Sequence, residues 1–187
     1  MDMEIFLRDL ASRFDAHRRE EMEALVDELA DAERTEVSFA SRLTRSGDAA
    51  VNVVVRGGRL VTGRVIDAAA TWAVVRAKTG DVLIPMGAVV AAWPLGSGSP
   101  GTDARVAAKI GIGHVLRELA ARGAGVGIDH DAGRHQGRIV AVYGDHLDLE
   151  TTVGNAAVDS RDMQPAVIIS LSLSGLRALD VAGERWG

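Results

Sequence analysis

The chain has 187 residues, 47% apolar and 25% charged, which are globular values sufficient for one ordinary domain or two small ones. No apolar run approaches the ~20 residues needed to span a bilayer, and the lack of cysteine excludes disulfides, thiolate metal ligands and thiol nucleophiles. The net charge of −5 argues against a nucleic-acid partner for the chain as a whole.

The N-terminus, Met1-Asp2-Met3-Glu4-Ile5, lacks the basic-then-apolar layout of a secretion signal, and a cytoplasmic location is the expectation. Residues 3–33 contain no Gly or Pro, are rich in Ala, Leu, Glu and Arg, and predict one long helix. Its apolar positions Phe6, Leu7, Leu10 and Phe14 recur at helical spacing, as do Met22, Leu25, Val26 and Leu29. The polar run His17-Arg18-Arg19-Glu20-Glu21 separates the two stripes. Such a helix packs its ends on different surfaces or pairs with a second copy, giving a homodimer. Residues 1–36 hold twelve acids against five arginines, a net of −7, which leaves +2 for the other 151 residues.

Beyond residue 36 the texture becomes that of short strands. Val51, Val53 and Val55 alternate, and Arg56-Gly57-Gly58-Arg59 reads as a turn. Strands are predicted over Leu60–Ile66, Trp72–Arg76, Val82–Ile84 and Val89–Trp93, with a turn at Lys78-Thr79-Gly80-Asp81 and a break at Pro85-Met86-Gly87. Five short strands within about 45 residues suggest a closed barrel, because so small a sheet must curl to bury a face. Leu95 to Gly101 is the linker-like stretch.

The second half repeats the first. Gly63-Arg64-Val65-Ile66 aligns with Gly137-Arg138-Ile139-Val140, and Thr71–Arg76 follows without a gap on Asp145–Glu150. Ala88–Ala91 is matched with Ala166–Ile169 after a longer loop. A short helix and a glycine introduce each copy, at Phe39–Leu43 with Gly47 and at Val115–Leu119 with Gly123. This order, with a glycine in the second strand of each copy and a short break before the fifth, resembles the Sm-like family. The resemblance covers roughly residues 38–94 and 112–172.

The resemblance implies a mainly β chain with helices: two tandem five-stranded Sm-like barrels behind a long N-terminal helix. The divisions are residues 1–36 for the acidic helix, 37–94 for the first barrel, 95–103 for the linker, 104–172 for the second barrel and 173–187 for a C-terminal tail. It also implies RNA binding. The acidic residue and asparagine of RNA-binding members have no counterpart here, where Ala69–Trp72 and Tyr143–His146 stand. Ile84-Pro85-Met86 replaces the family's basic-glycine pair.

Residues 41–78 carry six arginines and a lysine against two aspartates, a net of +5. Arg56, Arg59, Arg64, Arg76 and Lys78 are the candidate phosphate contacts, with Trp72 as a platform for a stacked base. The competing readings are solvated arginines at strand ends and a tryptophan closing one end of a barrel. Asp129, His130, Asp131 and His135 have the chemistry of a divalent-metal site, but their place at a hairpin tip gives polar residues an ordinary reason to be there. No Walker loop, nucleophile elbow or converging catalytic set occurs. The sequence therefore predicts no enzyme and no cofactor. It predicts a regulator or adaptor contacting nucleic acid, RNA before DNA, through the first barrel. The alternative is a protein-interaction scaffold with no nucleic-acid role.

Overall fold

The computed structural model describes residues 37–97, 110–152 and 166–181, together with 25–30 and positions 18, 22, 32 and 35. The predicted helix over residues 3–33 lies mostly outside these residues. Residues 25–30 are helical, and Met22, Leu25, Val26 and Leu29 are exposed. Residues 1–37 form one compact unit and 38–187 another, and every described strand belongs to the second.

Two closed barrels are not what forms. Among the described residues ten antiparallel strands make one open sheet in the order β5-β1-β2-β3-β4-β10-β6-β7-β8-β9. The first half supplies β1 (Ala50–Val55), β2 (Leu60–Ala68), β3 (Trp72–Ala77), β4 (Gly80–Pro85) and β5 (Val89–Trp93). The second supplies β6 (Gly125–His130), β7 (Gly133–Val142), β8 (His146–Thr152), β9 (Ala166–Ser172) and β10 (Leu176–Val181). Closure would require the fourth strand of each half to return to its own fifth. Instead β10 takes the free edge of β4, with Leu83 opposite Leu179 and Val82 opposite Asp180. The backbone groups of that edge are satisfied between halves.

The halves nonetheless share one internal order, with the fifth strand beside the first in each. Val51 stands opposite Gly63, and Val126 opposite Gly137. A register shift follows at the same place, between Val65 and Asp67 in β2 and between Ile139 and Ala141 in β7. A Cβ on Gly63 would overlap the carbonyl group of Arg76, and one on Gly137 that of Glu150. Each glycine therefore permits the close approach at which its strand bends over the next.

Helix α1 (Phe39–Thr44) lies against β2, and α2 (Ile112–Ala121) against β7, its counterpart. Ser38 caps α1 by accepting from the Ser41 amide at 3.1 Å. Past each helix the chain turns at a left-handed glycine, Gly47 or Gly123.

One alignment is corrected. Ala166–Ile169, matched by sequence with Ala88–Ala91 at the fifth strand, belongs to the fourth, β9, because His146 faces Ser172 as Trp72 faces Pro85. The fifth strand is β10, inside the stretch taken as a tail. A 3-10 turn precedes it at Leu173–Gly175, as another precedes β5 at Met86–Ala88.

Two cores result. The first gathers Leu43, Val51, Val53, Val55, Val75, Val82 and Ile84. The second gathers Leu116, Ile128, Ile139, Leu147, Leu149 and Leu179, and it also receives Trp72, Val74 and Leu83 from the first half. Strands β3 and β4 are thus buried on both faces, which explains their unbroken apolar runs Ala73–Val75 and Val82–Ile84.

Candidate functional site

The basic residues singled out in the sequence sit at the seam and on the first half, and four of them are already engaged. The β1–β2 hairpin turns at Gly57 and Gly58, both left-handed (φ +88° and +83°), and so presents Arg56 and Arg59 toward β6 and β10. Arg56 donates to Asp131 at 3.2 Å and to the Ser174 carbonyl at 2.8 Å. Arg59 is bound by Asp129 and Asp180, its Nη1 lying 3.1 Å from the latter. Arg64 donates to Asp48 at 2.7 Å. Arg76 makes a two-pronged contact with the buried Asp81, both distances 2.9 Å. Lys78 is exposed at the β3–β4 turn.

Trp72 is corrected from a surface platform to a core residue. It is 3% exposed, and its indole N–H donates to the Ile110 carbonyl at 2.7 Å. A ring so placed has no free face for a base, and an indole buried with its N–H satisfied is the expected core arrangement.

The histidine–aspartate cluster is divided among other tasks. His130 accepts the Ala132 amide at Nδ1 and contacts the Ser172 carbonyl through Nε2. Asp129 and Asp131 bind arginines. His135 lies edge-on to His130 with ring centroids 6.4 Å apart, and its Nε2 is buried without a partner. Among the described residues no group of three or more His, Asp or Glu converges as a metal site.

What the arrangement builds is an ionic clasp across the seam. Arg134 joins Arg59 on the same two carboxylates, at 3.2 Å from Asp129 and 3.0 Å from Asp180. Arg177 joins Arg56 on Asp131 at 2.7 Å. Partial burial would lower the Arg59 pKa, and the hydrogen bonds to Asp180 and then Asp129 more than offset this and raise it. The hydrogen bond from Arg177 holds the Asp131 carboxyl below its ordinary value; partial burial opposes that shift and Arg56 reinforces it.

A carboxylate with a depressed folded pKa stabilises the fold above its unfolded value and loses that contribution as pH falls through the folded one. Wild-type stability should therefore decline on acidification below the unfolded value of 3.8. Asp131→Asn should be less stable at neutral pH and decline less steeply in that acid window. Urea midpoints at neutral and acid pH check this, and parallel curves for the two proteins would refute it.

The other candidate feature is the pair of outer edges. Among the described residues no strand pairs with the outer side of β5 or of β9. Neither Val89-Val90-Ala91-Ala92-Trp93 nor Ala166-Val167-Ile168-Ile169-Ser170-Leu171-Ser172 holds a charge. Four of their large side chains are exposed, Val90 by 67%, Trp93 by 49%, Val167 by 39% and Ile168 by 61%, while Leu171 is buried. The sequence implied that two outer edges would remain once the halves pair, but not that β5 and β9 supply them. The signal for them was the absence of lysine, glutamate or inner proline from two terminal strands, the devices that usually protect an edge.

Comparison with known proteins adds no family: no protein-family model matches the chain, and no curated protein matches it. No described helix is long and apolar enough to cross a membrane.

Proposed function

We propose that the protein is a non-catalytic interaction scaffold that takes protein partners by adding a strand to the open edges of its sheet. The observation that carries this reading is the charge-free, apolar character of β5 and β9. An unpaired edge offers a row of backbone donors and acceptors, and an extended segment satisfies them while covering the side chains beside them. The pairing of Arg56, Arg59, Arg64 and Arg76 with aspartates favours this reading over the nucleic-acid one. Phosphate would have to displace carboxylates already in contact, two of them partly buried and Asp81 almost wholly so, 2% exposed.

Adding the peptide Thr-Val-Thr-Val-Thr-Val should slow amide hydrogen exchange in β5 or β9. Unchanged exchange in both strands would remove the reading. A second measurement tests its rival. Single-stranded RNA of mixed sequence, immobilised at low salt, should not retain the full chain. Retention that falls steeply with salt and is lost when Arg56, Arg59 and Arg64 are replaced together would restore the nucleic-acid function.

A further inference from the structure

We propose that the cleft at the seam of the two halves is a binding site for a small, uncharged, planar aromatic molecule with a hydrogen-bonding group on its edge. The site lies apart from the sheet edges invoked above and does not depend on them.

The cleft has a volume of about 630 Å³, within the range of small-molecule sites. Its floor is the outer face of β6. That strand alternates, with Val126 and Ile128 in the second core and Gly125 and Gly127 at the intervening positions. Gly127 faces the cleft, since a Cβ there would come nearest to Arg134 Nη2 and Asp180 Oδ2, at 3.5 and 3.6 Å. The fold demands neither glycine. Neither has a positive φ. A Cβ on Gly127 would make ordinary contacts, and one on Gly125 would meet nothing within 4 Å. Gly63 and Gly137 differ, because neighbouring backbone crowds them. Glycine weakens a strand by the conformational entropy it loses on folding. Where no turn or packing contact requires it, a strand glycine marks close approach of another group to the backbone. Here the pair leaves a floor without side chains, on which a flat group can lie.

The walls select the kind of flat group. Gln136 on β7 and Asp180 on β10 stand on either side of Gly127. Arg59, beside the start of β2, and Arg134 of β7 also line the cleft, and both are held by Asp129 and Asp180. Such hydrogen bonds run in the guanidinium plane and leave its faces to stack on a ring. The exposed amide of Gln136 supplies a donor and an acceptor for a polar group on the ring's edge. Among the described residues that line the cleft, Arg59 and Arg134 are balanced by Asp81 and Asp180. An ion would gain no net attraction, and a phosphate would find both arginines already held. The charge balance therefore selects a neutral molecule, and the stacking surfaces select a planar one.

N-acetyl-tryptophanamide, uncharged and with a planar ring, is the probe. N-acetyl-leucinamide has the same amides and no ring. Titration of the full chain, followed by backbone amide NMR shifts, should give saturable changes centred on Gly125, Gly127 and Gln136, half-complete at about 1 mM or below. The leucine compound should bind at least about tenfold more weakly, and added salt should leave the affinity of the probe unchanged. Gly125→Val and Gly127→Ala should each weaken the probe about fivefold or more. Each variant should be at least as stable in urea as the wild type, because it removes a strand glycine and meets no obstacle. Lost binding at undiminished stability is the mark of a ligand role, which a purely structural glycine would not give.

The absence of saturable changes by about 10 mM probe overturns the proposal. So do changes centred away from the cleft, equal affinity for the leucine compound, or undiminished affinity in both variants. Affinity that falls steeply with salt would make the site ionic, and the neutral ligand would have to be given up. If both variants are less stable than the wild type, the fold itself needs the glycines, and the site is lost with its bare floor.

Discussion

Replacing Gly63 or Gly137 with alanine is expected to destabilise the protein by about 3 kcal/mol or more, at the upper end of what single substitutions cost. The reason is geometric. A Cβ at position 63 would lie 2.6 Å from the carbonyl carbon of Arg76, and one at position 137 would lie 2.9 Å from that of Glu150. These neighbours are backbone, held in the β2–β3 and β7–β8 ladders, and cannot swing aside as a side chain would. Relief requires the strands to part, which costs ladder hydrogen bonds at the bend on which each core depends. Gly87→Ala is the control, because nothing lies within 4 Å of its Cβ position. It should change stability by less than about 1 kcal/mol. Urea midpoints decide, and a Gly63→Ala or Gly137→Ala protein as stable as Gly87→Ala would refute the close approach.

Those glycines also mark what could be read from the chain. The alternating Val51, Val53 and Val55 announced a half-buried strand, and the matched Gly-Arg pairs announced a bend used twice. Both are local signals, and all these residues occupy the positions they implied. The count failed further along, where Ala166–Ile169 looked like Ala88–Ala91. Four apolar residues carry no record of their place in a sheet, and the separation of β8 from β9 by residues 153–165 hid the fact that β9 follows β8 directly in the sheet.

An edge-to-edge pairing of the two halves was open to the sequence, but the residues that meet in the seam were hidden for a different reason. Arg59 and Asp180 stand 121 positions apart, and no periodicity links them. A surplus of arginine over residues 41–78 suggested a surface for phosphate, because the acids that hold Arg56 and Arg59, namely Asp129, Asp131 and Asp180, belong to the other half. One clue to the joined sheet was present. Trp72 to Val75 and Val82 to Ile84 do not alternate, as a strand with a solvent-facing side should. An unbroken apolar strand needs cover on both faces, and a lone small barrel covers only one. The corresponding stretches in the second half do alternate: Leu147 and Leu149 are buried, while Asp148 lies between them.

The sharing of β3 and β4 between two cores leads to the second large effect. Trp72→Ala should cost about 3–5 kcal/mol, the usual loss for a buried large aromatic truncated to alanine, and the loss should be felt in the half that does not contain it. Trp72 belongs to the cluster of Leu116, Ile128, Leu147 and Leu179, and its N–H satisfies the Ile110 carbonyl just before α2. Removing the ring opens a cavity in the second core and leaves that carbonyl without its donor. Phenylalanine at 72 should recover most of the packing but not the hydrogen bond, leaving a deficit of about 1–3 kcal/mol. The two halves should also unfold together, since Leu83 and Leu179 pair across the seam and Ala178 of β10 lies in the first core. Amide hydrogen exchange in Trp72→Ala can separate the halves. Protection should fall in β6, β7 and β8 as much as in β1, β2 and β3. Loss confined to β1–β3 would mean that the halves are independent, and the shared core would have to be given up.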